Sequence, residues 1–553
     1  MTMTKPVPTN SLDIDDQRTL AQAWDASVAA YADRPFLIIP ANAGRDYLPE
    51  GAEITYRAAD AQVQKLAQAW ARAGYGVGHR VATLLENRPE HVYLKLALNR
   101  IGVSMAPINP EYRAGEIAYL VEHSEPEAIV TIGSRAQQIA GGLAESALQP
   151  PVLIDEAIAF PPGPRVPRQS NRPTPLSEAG VYYTSGTTGR PKGCVLSHGY
   201  ELSTGTWYAQ LGGAAALRPE GDRIYNPLPL YHVNAGMVSL WGAMVSGSCQ
   251  VQSDRFHPER WWREIAQTRA TIVHYLGVIA PLLLKQPPSE ADRRHEVRFG
   301  IGAGIEPQLH APFEERFGFP MIEIWGMTEM VRVLGDHIAP RQIGERTFGR
   351  AVPGVDVQVV DENDNPVPDG APGEMLVRHS AQTPRRGAFS GYLKNEEETE
   401  KAWRGGWFHT GDVVWRGADG MLHFVDRRKN IIRRSGENIA AAEIEALLLT
   451  HPDVRQVAVM AVKDEVREEE VLACIALKSE SRSPHPDRAL AEALFAFCHE
   501  RVAYYKAPGW MWFTTDLPVT GSQKIQKHVI FPDVADPRDA AGMHDLRALK
   551  RRR

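Results

Sequence analysis

One loop around residue 187 combines the residue types that bind phosphate. Residues 182–193 read YYTSGTTGRPKG, which places near one another Thr184, Ser185, Gly186, Thr187, Thr188, Gly189 and Lys192. Glycines let the backbone close around a phosphate group, hydroxyl and N–H groups donate to its oxygens, and lysine supplies a positive charge. The spacing is not that of a G-x-x-x-x-G-K-[ST] loop. Composition alone therefore predicts a phosphate-binding loop, with a solvent-exposed loop of the same composition as the alternative.

The overall composition is that of a large globular protein. The chain has 553 residues, 43% of them hydrophobic and 23% charged, which excludes collagen-like, disordered and disulfide-stapled classes. Its 61 Lys and Arg against 67 Asp and Glu give a net charge of −6, and no long basic face is evident. We therefore expect no nucleic-acid partner.

The cysteines and the apolar stretches bear on location. Cys194, Cys249, Cys474 and Cys498 are far apart and lack a CxxC spacing, so we expect reduced, mostly buried thiols and no zinc site. Residues 1–17 lack the pattern of a secretory signal, and the most apolar stretch, 237–251, is too short to span a bilayer. The sequence predicts a cytoplasmic protein without stable membrane insertion.

Periodicity predicts the elements that position the loop. Residues 17–30 and 58–75 have the 3.6-residue apolar spacing of amphipathic helices, and 80–86, 127–133 and 270–276 are short apolar runs typical of strands. Strands that alternate with helices indicate an α/β fold with largely parallel sheets. The Pro-rich residues 160–176 are expected to form a loop.

The pattern changes in the last third of the chain. Residues 355–377 predict two strands joined by a turn-rich loop, 451–478 predict strand, turn and strand, and 486–502 predict a helix. We place a domain boundary close to Lys429, which divides the chain into 1–428, 429–535 and a tail at 536–553. The basic end, Lys550 to Arg553, is expected to be a solvated, frayed terminus, with contact to an anionic surface as the alternative.

A set of motifs in a fixed order resembles the adenylate-forming superfamily. Its members include acyl-CoA synthetases, peptide-synthetase adenylation domains and luciferases. Besides TSGTTGRPKG at 184–193, the matching segments are PLYH at 229–232, GAG at 302–304, IWGMTE at 324–329, WFHTGD at 407–412, VDRRK at 425–429, RSGENI at 434–439, and Pro518, Thr520, Lys524 and Ile525. The match spans roughly residues 20–530. It implies a large N-terminal domain of stacked α/β subdomains with a small β-barrel-like part, and a small mobile α/β C-terminal domain.

The resemblance assigns the residues that would hold ATP and Mg²⁺. Thr184 to Gly189 and Lys192 would bind the β- and γ-phosphates, and Thr328 would contact the α-phosphate. Glu329 would hold Mg²⁺, a hard cation that prefers carboxylate and phosphate oxygens.

The nucleoside part of ATP is assigned to other motifs. Gly302, Ala303, Gly304 and Gly326 would lie beside the adenine, and Asp412 and Arg427 would bind the ribose. Trp325 stands where the family usually has tyrosine; it can still stack on adenine but lacks the phenol hydroxyl.

The resemblance also assigns roles around the C-terminal domain. Lys524 would bridge carboxylate and phosphate oxygens during adenylation, although Gln523 replaces the usual glycine beside it. Lys429 falls at the hinge about which the family rotates this domain. Ser435, Gly436 and Glu437 would line the path of a thiol, with His232 as its gate; a histidine held in an ordinary loop is the alternative for His232.

Together these features predict an ATP-dependent carboxylic acid–CoA ligase, with ATP, Mg²⁺ and coenzyme A as cofactors and a carboxylic acid as substrate. The motif details, including VKDEVREE at 462–469, resemble crotonobetaine/carnitine-type CoA ligases most. Two alternatives remain: an enzyme that loads a carrier-protein pantetheine, and a nucleotide-binding module without catalysis. Intact Lys192, Glu329, Asp412 and Lys524 argue against the second. A homodimer is compatible with the sequence.

The acyl pocket is expected among three segments. They are the residues after His232, the loop 302–305 and residues 327–334, and their bulky apolar side chains favour a short or medium acyl chain. A quaternary ammonium acid would need an aromatic cage. Trp207, Tyr208 and Trp241 could supply one, or could simply belong to the core.

Overall fold

The computed structural model describes residues 17–184, 191–277, 279–305, 307–361, 363–427, 431–478, 488–518, 525, 527, 530–531 and 534–551. Lys429, Lys524 and residues 185–190 lie outside this part of the chain.

Helices and strands alternate through the first 340 residues, as the periodicity predicted. The α-helices of the described residues are α1 Leu20–Tyr31, α2 Tyr56–Arg72, α3 Pro89–Arg100, α4 Ala114–Ser124, α5 Ala136–Ala144, α6 His198–Ala209, α7 Leu240–Ser246, α8 Trp261–Thr268, α9 Ile279–Leu284, α10 Pro307–Phe317, α11 Glu396–Ala402, α12 Ala441–Leu449 and α13 Arg488–Arg501. The strands are β1 Pro35–Ile39, β2 Ala52–Thr55, β3 Arg80–Leu84, β4 Ser104–Pro107, β5 Ala128–Thr131, β6 Val152–Ile154, β7 Glu178–Thr184, β8 Lys192–Ser197, β9 Arg223–Asn226, β10 Cys249–Gln252, β11 Ile272–Leu276, β12 Phe299–Ala303, β13 Met321–Met327, β14 Met330–Gly335, β15 Asp356–Val360, β16 Gly373–Arg378, β17 Gly391–Tyr392, β18 Phe408–Arg416, β19 Leu422–Arg427, β20 Ile431–Arg434, β21 Glu437–Ala440, β22 Val454–Asp464, β23 Glu468–Leu477, β24 Trp510–Thr514 and β25 His544–Asp545.

Two large, mostly parallel sheets form the N-terminal domain. One has the strand order β17-β8-β7-β4-β3-β5-β6, and the other has the order β14-β13-β12-β11-β9-β10-β1-β2. In the second sheet the inner pairs from β13 to β1 are parallel, and only the two edge pairs are antiparallel. Inner strands such as β5 are buried along their whole length, which explains their continuous apolar sequences.

Local signals explain where the helices begin. Thr19 caps α1 in a capping box with Gln22, and the side chain of Thr55 accepts a hydrogen bond from the backbone N–H of Ala58 to cap α2. On α2 the buried residues are Tyr56, Ala59, Val63, Ala67 and Trp70, a spacing of three and four that produces one apolar face. Both predicted helices are therefore confirmed, with boundaries shifted by one to three residues.

A four-stranded antiparallel sheet follows the two large sheets. Its order is β15-β16-β18-β19, and β15 and β16 are the two strands predicted within 355–377. It corresponds to the small β-rich part of the N-terminal domain and carries Asp412 on β18. The predicted α/β class and its division into a large and a small domain are confirmed.

The C-terminal domain has a core of its own. The strands β20 to β25 form one sheet, and α12 and α13 pack on one face of it through a cluster that includes Ile444, Val457, Ile475 and Leu494. The strand–turn–strand and the helix predicted here are present as β22, β23 and α13. The exact boundary near Lys429 stays a prediction because residues 428–430 lie outside the described part.

The expected solvated terminus is wrong for Lys550. Its side chain is 1% exposed and forms an ion pair with Glu470, while Leu546 is fully buried in the core of the small domain. The strand β25 pairs with β24, so residues 544–550 complete this domain. The basic composition predicts solvent exposure, but the ion pair with the buried Glu470 on β23 stabilises Lys550 inside the domain.

The cysteines have the buried positions expected from the sequence. All four cysteines are free and buried. No helix among the described residues is long and apolar enough to cross a membrane.

Candidate active site

A cavity of about 290 Å³ lies where β12 and β13 end. Its lining brings together five of the predicted nucleotide-binding residues, namely Ala303, Gly304, Trp325, Gly326 and Asp412. The carboxyl ends of adjacent parallel strands meet at one edge of a sheet, which is why motifs far apart in sequence converge here. Gly302 lies at the same edge, where a Cβ would be 2.1 Å from the backbone oxygen of Tyr275.

A buried carboxylate shapes the glycine-rich loop. Glu323 accepts hydrogen bonds from the backbone N–H groups of Gly304 and Ile305, at 2.8 and 3.2 Å, and from the hydroxyl of Tyr275 at 2.5 Å. Burial raises its pKa, and these donors oppose that rise. Glu323 therefore fixes one wall of the cavity.

The replacement of tyrosine by tryptophan at position 325 has a structural consequence. The indole Nε1–H of Trp325 donates a 2.8 Å hydrogen bond to Oδ2 of Asp412. Both residues are largely buried, and they connect the edge of the eight-stranded sheet to the four-stranded sheet. The hydroxyl that tyrosine would have brought is thus replaced by an N–H that orients the carboxylate expected to bind ribose.

We predict that Trp325→Phe raises the KM for ATP about tenfold, because a hydrogen bond to a charged group contributes roughly 1.5–3 kcal/mol. Phenylalanine keeps an aromatic face for the adenine but loses the donor. The preference for ATP over 2′-deoxy-ATP should fall at the same time, and steady-state kinetics with both nucleotides measures it. Equal losses with the two nucleotides would contradict the orienting role of the indole N–H.

The predicted phosphate side lies at the ends of β7 and β8. Thr184 ends β7, Lys192 begins β8, and the two are paired in the ladder. The Nζ atom of Lys192 lies 2.5 Å from Oε2 of Glu398 and 4.9 Å from the ring centroid of Tyr392. Residues 185–190 between them are outside the described part.

Thr328 and Glu329 form the turn between β13 and β14. The backbone oxygen of Thr328 accepts from the hydroxyl of Tyr200 at 2.5 Å, and Oε1 of Glu329 accepts from the hydroxyl of Tyr392 at 2.9 Å. Tyr392 thus contacts Glu329 through its hydroxyl and Lys192 through its ring. Of the residues predicted for phosphate and Mg²⁺, Lys192 and Glu329 therefore both contact Tyr392, and Thr328 directly precedes Glu329.

The turn between β20 and β21 of the small domain lies against Leu276 and His232 of the large domain. Ser435 and Gly436 both have positive φ there, and a Cβ on Gly436 would lie 2.2 Å from Cδ1 of Leu276. Oε1 of Glu437 lies 3.6 Å from Nε2 of His232. Of the predicted thiol-path residues, Glu437 therefore lies against the predicted gate His232 across the domain interface.

Charge keeps Glu437 ionised at this interface. Burial would raise its pKa, but His232, Lys506 and the hydroxyl of Tyr505 together lower it. His232 thus faces a carboxylate of the other domain, which favours a role at the interface over an ordinary loop histidine.

A buried charge triad joins the domains beside this contact. Lys506 of the small domain places Nζ 2.6 Å from Glu116 of the large domain and 2.8 Å from Glu443 of its own domain. Burial would lower the pKa of Lys506, but the two carboxylates outweigh it and hold the pKa well above its ordinary value. We call Glu116, Lys506 and Glu443 the interface triad.

Two further hydrogen bonds across the interface reinforce the triad. Oε2 of Glu116 accepts from the backbone N–H of Ala503 at 3.0 Å, and Asn109 donates to the hydroxyl of Tyr505 at 3.0 Å. The segment 502–506 is therefore fixed against the N-terminal end of α4.

Four groups of predicted residues have no described side chain. Lys524, Lys429 and Ser185 to Gly189 lie outside the described residues. For Arg427 only the backbone is described, and it pairs with Asp412 in the β18–β19 ladder. Their assigned roles stay predictions.

Sequence reasoning missed several site residues: Glu323, Tyr392, Glu398, Glu116 and Lys506. Glu323 had a signal, since it is a lone carboxylate within the apolar strand MIEIWGM. The others had none, because their partners lie far away in the chain, 390 residues apart for Lys506 and Glu116.

The aromatic residues proposed as a cage for a quaternary ammonium group are engaged elsewhere. The indole of Trp241 donates to the buried Glu201 at 3.0 Å, and the hydroxyl of Tyr208 contacts His274 at 3.0 Å. The guanidinium of Arg332 lies over the ring of Trp207, 5.6 Å from its centroid. These contacts favour the core alternative over the cage.

Two family models match the chain. The model described as AMP-binding enzyme matches residues 24–393, and the model described as AMP-binding enzyme C-terminal domain matches residues 443–524. The chain belongs to the AMP-binding enzyme family. The superfamily resemblance predicted from the motifs is confirmed.

Curated relatives of this family member carry the name crotonobetaine/carnitine–CoA ligase. The protein of Escherichia coli O45:K1 is 30% identical over 533 residues, which cover 93% of this chain and 99% of the relative. The protein of Salmonella paratyphi B is 29% identical with the same coverage.

Solved structures of the family superpose over nearly the whole chain. The amide bond synthetase McbA of Marinactinospora thermotolerans is 27% identical with a TM-score of 0.75, covering 92% of this chain and 98% of its own. A double mutant of the o-succinylbenzoate CoA synthetase of Bacillus subtilis, bound to a product analogue, is 22% identical with a TM-score of 0.77, covering 93% and 98%. The family models and the curated relatives confirm the predicted enzyme class, an acid–thiol ligase.

Proposed function

We propose that this enzyme is an ATP-dependent carboxylic acid–CoA ligase that works in two steps. The carboxylate first attacks the α-phosphate of ATP and forms an acyl-adenylate as pyrophosphate leaves. The thiol of coenzyme A then attacks the acyl carbon, forms the thioester and releases AMP. The observation that carries this proposal is the 3.6 Å contact between Glu437, in the turn of the small domain, and His232 of the large domain.

The cavity and the residues around Tyr392 fit the demands of the first step. Trp325 offers an aromatic face to the adenine, and Asp412 offers a carboxylate that can accept two hydroxyl groups of ribose. Thr184 and Lys192 would bind the β- and γ-phosphates together with Ser185 to Gly189. Charge that develops on the phosphoryl oxygens is stabilised by such preorganised donors.

The donor set around Tyr392 also fits a magnesium ion. Glu329 supplies a carboxylate next to the phosphate-binding residues, and Tyr392 orients one of its oxygens. When bound there, Mg²⁺ would neutralise phosphate charge. Thr328, the neighbouring residue, would hold the α-phosphate in line with the attacking carboxylate.

The described domain arrangement supports the second step. The turn at Ser435–Glu437 lies against Leu276 and His232 of the large domain, and the interface triad joins the same two domains. Rotation about Lys429 would exchange this arrangement for one in which Lys524 serves adenylation. One site could then perform both steps in sequence.

The acid itself is proposed to lack a quaternary ammonium group. The Arg332 guanidinium already occupies a position over Trp207 and would repel a second cation there. Ile305 lines the cavity and is apolar, which favours a short or medium apolar acyl chain. The substrate would then differ from those named in the curated relatives.

We therefore expect pyrophosphate release with short or medium apolar acids and none above background with carnitine or crotonobetaine. The measurement is a coupled pyrophosphate assay over a panel of acids with ATP and Mg²⁺. Activity with carnitine comparable to that with the best acid would contradict the charge argument. No release with any acid would contradict the proposed first step.

Two other acceptors remain to be tested. The similarity to an amide bond synthetase favours an amine as the second candidate, and a carrier-protein pantetheine is the third. A cytoplasmic location and a homodimer stay predictions from the sequence.

A further inference from the structure

An acidic side chain lies directly against the lysine assigned to phosphate binding. Oε2 of Glu398 is 2.5 Å from Nζ of Lys192, and its other oxygen, Oε1, is 3.2 Å from Nζ of Lys401. The hydrogen bond from Lys192, joined by Lys401, lowers the pKa of Glu398, so this carboxylate is ionised near neutral pH. Neither step of the proposed reaction uses the Glu398 carboxylate.

The position of Glu398 is fixed by the elements around it. It lies in the first turn of α11, where its backbone N–H donates to the side chain of Asn395. The preceding strand β17 pairs with β8, and Tyr392 is the partner of Cys194, two residues after Lys192. The backbone N–H of Tyr392 also donates to the hydroxyl of Thr399 on α11, at 2.9 Å. The carboxylate is therefore held beside Lys192 by its own helix and strand.

A carboxylate and a phosphate compete for one ammonium group. When Lys192 binds the oxygens of the β- or γ-phosphate, Glu398 either loses its partner or stands next to several negative charges. Both outcomes raise the free energy of bound pyrophosphate relative to a site without this carboxylate. The side chain of Lys192 is 14% exposed and that of Glu398 is 24% exposed, so solvent screens the repulsion only in part.

We propose that Glu398 is a positioning residue that acts through Lys192 to weaken the binding of pyrophosphate and to promote its release after adenylation. The proposal rests on the proposed function, because it takes Lys192 to be the phosphate-binding lysine. Weaker binding of the leaving pyrophosphate limits the reversal of adenylation, at the expense of a higher KM for ATP.

The test compares Glu398→Gln with Glu400→Gln. Glutamine keeps the size of the side chain and removes its charge in both variants. Glu400 belongs to the same helix, but its side chain is 62% exposed and is bound to Arg385, so this control has the same change of net charge away from Lys192. Thermal melting checks that both variants fold as the wild type does.

Binding of inorganic pyrophosphate, measured by titration calorimetry at fixed ionic strength, is the first readout. We expect Glu398→Gln to bind it about five- to tenfold more tightly than the wild type, and Glu400→Gln to bind it as the wild type does. In turnover, Glu398→Gln should show a lower inhibition constant for pyrophosphate and a lower KM for ATP. A structural role alone would not tighten binding.

Unchanged or weaker pyrophosphate binding by Glu398→Gln, or equal tightening by Glu400→Gln, would overturn the inference. No measurable pyrophosphate binding by either the wild type or Glu398→Gln would also overturn it, along with the phosphate role of Lys192. Failure of every acid in the ligase assay would instead refute the proposed function. The binding result does not depend on the acid, so the two failures are distinguishable.

Discussion

Lys524→Ala is expected to reduce acyl-adenylate formation by about 10²–10³-fold and to leave thioester formation from a supplied acyl-adenylate within about threefold of the wild type. The first step brings a carboxylate against a phosphate, and an ammonium group offsets the repulsion between these anions. The second step joins a thiol to a mixed anhydride that is already formed. Pyrophosphate release and thioester formation from synthetic adenylate measure the two steps separately.

The control for this experiment is Lys527→Ala. Lys527 lies three positions further along the chain, where its Nζ is 2.7 Å from Oε1 of Glu445 within the small domain. Its replacement removes the same charge from the same segment without removing the residue assigned to adenylation. Equal losses in both steps for Lys524→Ala, or a loss of adenylation as large for Lys527→Ala, would contradict the role of Lys524.

Lys506→Met is expected to have the opposite effect on the two steps. Without the ammonium group, Glu116 and Glu443 face each other at the domain interface with side chains only 9% and 11% exposed. Removing one partner of a buried ion pair costs about 3–5 kcal/mol, so the described domain arrangement should lose much of its population. Thioester formation should fall by about 10-fold or more, while adenylation changes little.

A second substitution makes this prediction specific. Glu116→Gln in the Lys506→Met background removes one of the two opposed carboxylates and keeps an acceptor for the N–H of Ala503. The double variant should recover part of the thioester rate. If both steps slow equally in Lys506→Met, or if the double variant is no faster, the interface triad does not select the domain arrangement.

Much of the fold could be predicted because its signals are local. The buried face of α2 repeats every three to four residues, and β5 is a short, mostly apolar run that is buried along its whole length. Such patterns need only neighbours along the chain. The alternation of helices and strands then leads to parallel sheets.

The sequence also predicts which residues line the nucleotide cavity, because they occur in recognisable motifs. Gly304, Trp325 and Asp412 come from three separate motifs and line one cavity. The motifs do not reveal how these residues contact one another. The hydrogen bond from Trp325 to Asp412 joins residues 87 positions apart, and only the packing of two sheets creates it.

Charges were the least predictable feature. Lys550 has the composition of a solvated tail but is buried against Glu470, and Lys506 has nothing in its local sequence to mark it as part of a domain interface. A charged residue is buried only when its partner arrives from elsewhere in the fold. Such pairs depend on tertiary contacts, so the sequence alone does not disclose them.

A chase experiment shows whether this chain transfers an activated acyl group to coenzyme A. The enzyme is allowed to form acyl-adenylate from ATP and the best acid of the panel, and is then mixed with coenzyme A, with an amine or with pantetheine on a carrier protein. We expect acyl-CoA as the product, detected by mass spectrometry, with AMP released in equal amount. The other acceptors should give no comparable product. Adenylate that persists with coenzyme A but is consumed by the amine or the carrier protein would contradict the transfer to coenzyme A.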